Sequence, residues 1–294
     1  MSFKAGFVNI IGKPNVGKST LMNELVGERL SIITPKAQTT RHRIQGIVNG
    51  DDFQIVYSDT PGILEPAYKL QEGMMQFVNS ALADADIFLV MVESHMKSFG
   101  HDRLLEKIRK SGTPIILVIN KIDLLKGQDE LIKYVEHWQK QIPEARILPI
   151  SALNKINTEQ VLRNIKDLLP ESQPYFPTDE LTDKPQRFFM SEIIREKLFM
   201  NYQQEIPYSC EVIIEEFKEE ERIIRVRAEI MVARDTQKGI IIGHKGSKLK
   251  KVGTEARREA EAFFGKQLFL ELYVKVDKDW RDKENRLKQY GYLH

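Results

Sequence analysis

Gly12, Gly17, Lys18 and Ser19 stand in the spacing G-x-x-x-x-G-K-S inside the stretch GKPNVGKST. Those residue types at that spacing make a phosphate-binding loop. Glycine lets the backbone approach an anion and turn its N–H groups inward, and a helix opening near Gly17 adds the positive end of its dipole. Lys13, Pro14, Asn15, Val16 and Thr20 complete the cradle. Lys18 reaches the β- and γ-phosphates, and the Ser19 hydroxyl is a ligand for Mg²⁺.

Three later stretches suit the same chemistry. In SDTPG, Asp59 can hold the water shell of Mg²⁺ and the Gly62 N–H can meet the γ-phosphate, with Thr60, Pro61 and Ile63 lining the turn. Alone, such a tetrapeptide is an ordinary turn; downstream of a phosphate loop it is not. In NKID, Asp123 is acceptor-only when ionised and can take both N1–H and the exocyclic N–H of guanine, a donor pair that adenine lacks. Asn120 can tie this segment to the phosphate loop, and the Lys121 stem can lie on the base. Ser151, Ala152 and Leu153 follow, and the Ala152 N–H can be placed on guanine O6. Together these stretches select GTP over ATP.

Strand ends must position such loops. Short apolar runs at residues 7–11, 53–57, 87–92, 115–119 and 146–150 alternate with helical patterns, and each motif follows one of the runs. That alternation predicts an α/β domain with a mostly parallel sheet over residues 1–170. Residues 171–186 carry prolines and acidic residues and read as a linker. Residues 187–294 change order to α-β-β-α-β, a smaller α+β domain, with Ser191 placed to cap its first helix.

The chain of 294 residues is 41% hydrophobic and 29% charged, with a net charge of only +2, so no global excess marks a nucleic-acid partner. A local one exists. From position 234 to 258 eight Lys/Arg face Asp235 and Glu255 alone. Within that stripe Gly243, His244, Lys245 and Gly246 form a G-x-x-G loop, the device with which K-homology (KH) domains clamp an RNA backbone. Ile242, Lys248, Lys250 and Lys251 flank it, and Ile240, Ile241, Ile242, Leu249 and Val252 can floor a groove for bases. A lone G-x-x-G is more often a simple strand-to-helix turn; loop, charge and element order together favour RNA. One cysteine, Cys210, excludes an internal disulfide. No apolar run is long enough to span a membrane, and the first residues enter a strand too early for a signal peptide. A cytoplasmic protein is expected.

The four motifs in this order resemble the small P-loop GTPases. With QTTRH, SEIIREK and a C-terminal KH domain of type II added, essentially the whole chain resembles the Era family of bacterial GTPases, which act in small ribosomal subunit assembly. The resemblance implies GTP and GDP as ligands with Mg²⁺, and catalytic roles for Lys18, Thr40, Asp59 and Gly62. It makes residues 35–46 a switch whose threonine closes onto Mg²⁺ beside Ser19 and Asp59, Thr40 being chosen over Thr39. It further implies binding near the 3′ end of small-subunit ribosomal RNA and to the 30S precursor, with peripheral association at the inner membrane. Arg41 and His42 read as phosphate or RNA contacts, or equally as a solvated basic edge. Ile63 stands where Ras-type enzymes carry the glutamine that orients water, so intrinsic hydrolysis should be slow. Asn15 resembles the asparagine that binds K⁺ in some bacterial GTPases, and is equally a turn-former. Two other functions use the same residues: a passive RNA chaperone, and a membrane-associated regulator of the cell cycle.

The guanine-reading role has a direct test. Asp123→Asn should weaken GTP binding and shift preference toward xanthosine triphosphate, whose O2 can accept from the new amide. Competition binding of the two nucleotides checks this, and an unchanged preference would remove the role from Asp123.

Overall fold

The computed structural model describes residues 2–293. Strand β1 (Lys4–Gly12) runs through the middle of a six-stranded sheet with β2 (Ile44–Asn49), β3 (Phe53–Asp59), β4 (Ile87–Glu93), β5 (Ile115–Asn120) and β6 (Arg146–Pro149). Their spatial order is β2-β3-β1-β4-β5-β6. Only β2 is antiparallel to its neighbour. The sequences IFLVMVE and IILVIN of β4 and β5 are buried almost end to end, as parallel strands covered on both faces must be. Helices α1 (Lys18–Val26), α2 (Lys69–Ala83), α3 (Asp102–Lys110), α4 (Gln128–Gln141) and α5 (Thr158–Leu168) alternate with the strands. Val78 of α2, Ile108 of α3 and Trp138 of α4 share one core with Val90 and Leu117 of the sheet.

The parallel strands place Gly12, Asp59, Asn120 and Pro149 at their C-terminal ends. That is the edge at which open α/β sheets bind ligands. Strand β2 is the sixth, where periodicity predicts five. Its sequence IQGIVN mixes polar residues and a glycine, so no alternation announces it.

Residues 170–183, most of the linker stretch, are laid against the sheet. Ala5 N–H donates to Pro170 O at 3.1 Å and Ile47 N–H to Leu181 O at 2.8 Å. Thr182 Oγ1 donates to Gln45 O at 2.7 Å. The fully buried Gln54 side chain is the central clip. Its Oε1 accepts from the N–H groups of Tyr175 (2.7 Å) and Phe176 (3.0 Å), and its Nε2 donates to Phe176 O (2.8 Å). Proline stiffens this stretch while its other residues supply the hydrogen bonds.

The C-terminal part holds α6 (Gln186–Asn201), α7 (Ile206–Ser209), β7 (Cys210–Glu219), β8 (Ile223–Val232), α8 (Asp235–Ile242), α9 (Ser247–Phe264), β9 (Gln267–Val276) and α10 (Glu284–Gln289). Its sheet has the order β7-β8-β9, with β7 antiparallel and β9 parallel to β8. Strand β8 buries every second residue, Ile224, Val226, Ala228, Ile230 and Val232, against Ile194 and Leu198 of α6 and Val252, Ala256 and Ala260 of α9.

Two expectations are corrected here. The apolar run Ile240–Ile242 ends a helix, α8, so the order is α-β-β-α-α-β among the main elements. A polar N-terminus opens that helix: Gln237 Oε1 accepts from Ala233 N (3.0 Å) and Arg234 N (3.1 Å). Ser191 does not cap α6, which starts after Pro185; its hydroxyl donates back to Phe188 O at 2.7 Å within the helix.

By internal contacts the chain forms two compact units that do not follow chain order. The first is residues 1–31, 40–65 and 74–183; the second is 32–39, 66–73 and 184–294. Among the described residues no helix is long and apolar enough to cross a membrane.

Gln54→Leu should leave the Tyr175 and Phe176 backbone groups without partners. We expect the first unit to lose about 2 kcal/mol of stability, with faster amide exchange at residues 175 and 176. Unchanged exchange there would show that Gln54 does not hold the segment.

Candidate functional site

The loop from Gly12 to Lys18 leaves β1 and enters α1 through left-handed backbone at Asn15 (φ 66°) and Gly17 (φ 100°). Gly17 is constrained twice, because a Cβ there would also lie 2.2 Å from Asn120 Nδ2. Gly62 is held in the same way: its Cβ would sit 2.6 Å from Pro14 backbone, so D-T-P-G packs directly on the phosphate loop. Ile63 N–H donates to Gly12 O at 3.1 Å and Thr60 Oγ1 to Ile10 O at 2.8 Å, which fixes that packing.

Lys18 is buried, its Nζ donating to the carbonyls of Gly12 (3.1 Å) and Lys13 (3.0 Å). Burial pulls its pKa from the ordinary 10.5 down to about 8, against the pull of the Asp59 charge. Asp59 is fully buried, and burial pushes its carboxyl above the usual range while the Lys18 charge and hydrogen bonds from hydroxyls, that of Ser19 foremost, oppose the shift. Both groups gain from an opposite charge, one from phosphate and the other from a cation.

Ser19 Oγ lies 2.6 Å from Asp59 Oδ2 and 2.9 Å from Thr40 Oγ1, and Thr40 Oγ1 is 3.3 Å from the same carboxylate oxygen. Asp59 Oδ1 is buried with no hydrogen-bond partner. An all-oxygen cluster with an unmatched buried carboxylate oxygen fits a hard divalent cation. Ser19, Thr40 and Asp59 would hold Mg²⁺, which supplies charge neutralisation at phosphate oxygens. The neighbouring Thr39 hydroxyl turns elsewhere, 2.6 Å from Thr34 Oγ1 and 2.6 Å from Lys36 O. Ile63 is buried in the core beside the sheet, so its side chain takes no part in orienting water.

On the base side, Asn120 Nδ2 donates to Val16 O at 2.8 Å, tying the NKID loop to the phosphate loop. Lys121 is left-handed (φ 63°) and its Nζ pairs with Glu93 at 2.8 Å, which fixes the stem. Asp123 sits on the 3₁₀ turn Ile122–Leu124, exposed and without a hydrogen-bond partner among the described residues. The Ala152 N–H donates to Asn120 Oδ1 at 2.9 Å, a contact that braces the loop beside the place expected for guanine O6. Ser151 is buried, and Leu153 is exposed.

The second unit carries the G-x-x-G loop between α8 and α9. Gly243 (φ 70°), Lys245 (φ 47°) and Gly246 (φ 77°) are all left-handed, and His244 and Lys245 are exposed. Lys248, Lys250 and Lys251 are exposed on α9. Beside the loop lies a cleft of about 390 Å³ lined by Gly246, Leu249, Lys250, Gly253, Thr254, Arg257, Leu270 and Leu272. The expected floor is corrected in part: Ile241 and Val252 are fully buried in the core, and the floor is Leu249 with Leu270 and Leu272 of β9. The sequence signal for this was Gly253 inside a helix. A Cβ there would meet Leu272 Cδ1 at 3.2 Å.

Residues 7–121 match the family described as 50S ribosome-binding GTPase, and residues 205–281 match the KH domain family. Fold and site thus define a P-loop GTPase joined to a KH unit. The chain is 44% identical to the GTPase Era of Staphylococcus haemolyticus (strain JCSC1435) over 292 residues, 99% of this chain and 97% of that protein. A crystal structure of Era with MgGDPNP and nucleotides 1506–1542 of 16S ribosomal RNA matches with a TM-score of 0.95 and 40% identity, covering 99% of this chain and all of that one. A variant of Aquifex aeolicus Era bound to GDP·AlF₄⁻ matches with a TM-score of 0.95 at 40% identity over 99% of this chain and all of that one. The chain belongs to the Era family of GTPases.

Phosphate binding needs the Lys18 ammonium, and the free protein holds it only below about pH 8. GDP affinity should therefore be level below that pH and fall above it, by up to about tenfold per pH unit. Calorimetric titration from roughly pH 7 to 9.5 checks this. A level affinity across the whole range would show that Lys18 stays charged in the free protein.

Proposed function

We propose that this chain is a GTP-driven RNA-binding switch: nucleotide binding and slow hydrolysis in the first unit control a KH unit that takes the 3′ end of 16S ribosomal RNA during assembly of the small subunit. The observation that carries the RNA half is the positive-φ backbone at Gly243, Lys245 and Gly246, with His244 and Lys245 exposed, beside a cleft that joins leucines to Lys250 and Arg257. The Era structure in complex with nucleotides 1506–1542 of that RNA supports the choice of ligand. Asn15 is exposed in the phosphate loop. In this reading its carboxamide oxygen is a ligand for K⁺, and the charge of the cation contributes to a catalysis for which Ile63 offers no polar group; its left-handed backbone equally serves the turn.

The passive-chaperone reading gives no reason for Ser19, Thr40 and Asp59 to converge as they do. Peripheral association with the inner membrane rests on the family resemblance, and no structural feature described above adds to it.

His244→Asp with Lys245→Asp places negative charge where an RNA phosphate would lie, at the start of α9. Affinity for an RNA of the small-subunit 3′ end should fall by at least about tenfold at low salt. Intrinsic GTP hydrolysis should not change. RNA binding at wild-type strength by the folded variant would defeat the KH reading of this loop.

A further inference from the structure

Residues 32–39 lie between α1 and β2 in the chain, yet by their contacts they belong to the second unit, with α6. Three points hold them there. Ile33 N–H donates to Glu196 Oε1 at 3.2 Å. Lys36 Nζ donates to the carbonyls of Phe199 and Tyr202, where the end of α6 leaves acceptors open and favours a cation. Arg195 Nη2 donates to the carbonyl of Thr39. The Thr39 hydroxyl, bonded to Thr34 and Lys36, closes the segment on itself.

Arg195 is also paired through Nε with Glu192 Oε1 (2.7 Å) and through Nη2 with Glu192 Oε2 (2.5 Å), three residues apart on α6. The two side chains are only 1% and 6% exposed. A buried ion pair is worth little for stability against apolar residues of similar volume. What apolar residues could not supply is the donor to Thr39 O, with Glu192 fixing the plane of the guanidinium. The next residue is Thr40, whose hydroxyl meets Ser19 and Asp59.

We propose that Glu192 and Arg195 are positioning residues for GTP hydrolysis: by fixing the Thr39 carbonyl they hold the plane of the Thr39–Thr40 peptide, from which the Thr40 hydroxyl reaches the Mg²⁺ ligands. The inference rests on the GTPase reading of that cluster. Thr40 serves the γ-phosphate state, so losing the pair should alter GTP turnover and leave GDP binding alone. A merely structural role would lower both.

The test uses the full chain without RNA. Glu192→Met with Arg195→Met removes both charges together at similar volume. The expected result is a fall in kcat of at least about tenfold, with GDP affinity within about twofold of wild type. On a Thr40→Ala background the same pair should add no more than about twofold, since both act on one contact. Arg195→Lys, which keeps the charge but loses the fork, guards against a double variant that does not fold; it should lower kcat with GDP affinity retained. Turnover within twofold of wild type in either folded variant, or an undiminished further loss on the Thr40→Ala background, would overturn the proposal. Wild-type turnover measured alongside separates the cases: no GTP hydrolysis by the wild type would bring down the GTPase reading itself.

Discussion

One carboxamide holds the nucleotide site together. Asn120 stands at the end of β5 and spends both ends of its side chain on neighbouring loops, the amide on Val16 O of the phosphate loop and the oxygen on Ala152 N–H. Each loop alone is a short irregular segment with little apolar area, and such segments are mobile unless tied. Gly17 is glycine in part because this amide must pass so close to it. The strand ends set the loops a few ångströms apart, and Asn120 sets their mutual register. Base recognition and phosphate recognition then act on one rigid frame, which is what preorganised binding requires.

Beside that frame the chain separates what is fixed from what can vary. Lys18 and Asp59 are buried, and each is pushed by burial toward its neutral form. Residues 32–39 and 66–73, which flank Thr40 and Gly62 in the chain, pack instead with the second unit. The chain therefore passes between units at the boundaries of these segments as well as after Asp183. A change in how Thr40 or Gly62 is held has covalent routes to the second unit that do not run through the linker.

Much of this was legible in the sequence because phosphate and guanine chemistry is local. A few residues at fixed spacing carry Lys18, Ser19, Asp59, Asn120 and Asp123, and a strand before each loop gives it context. What was missed depended on partners distant in the chain or on local signals too short to decide. Strand β2 lacks a pattern of its own and is defined by its pairing with β3. The run Ile240–Ile242 is too short for its period to tell strand from helix. Ser191 has the type of a cap, but Pro185 starts the helix earlier. That the Ala152 N–H reaches Asn120 Oδ1 is likewise invisible in the spacing of either motif. SEIIREK reads as a helix, but nothing in its spacing reveals that Arg195 meets Thr39, 156 residues away.

The covering of β2 by residues 170–183 has a consequence for the protein as it is made. A lone strand edge offers unpaired N–H and C=O groups to any other extended chain. Here Gln45 and Ile47 give theirs to Thr182, Asp183 and Leu181. On a ribosome the strand emerges more than a hundred residues before its cover, an interval of roughly 6–30 s at ordinary synthesis rates. The nascent first unit has a bare margin at β2 until residues 170–183 leave the exit tunnel and can pair with it.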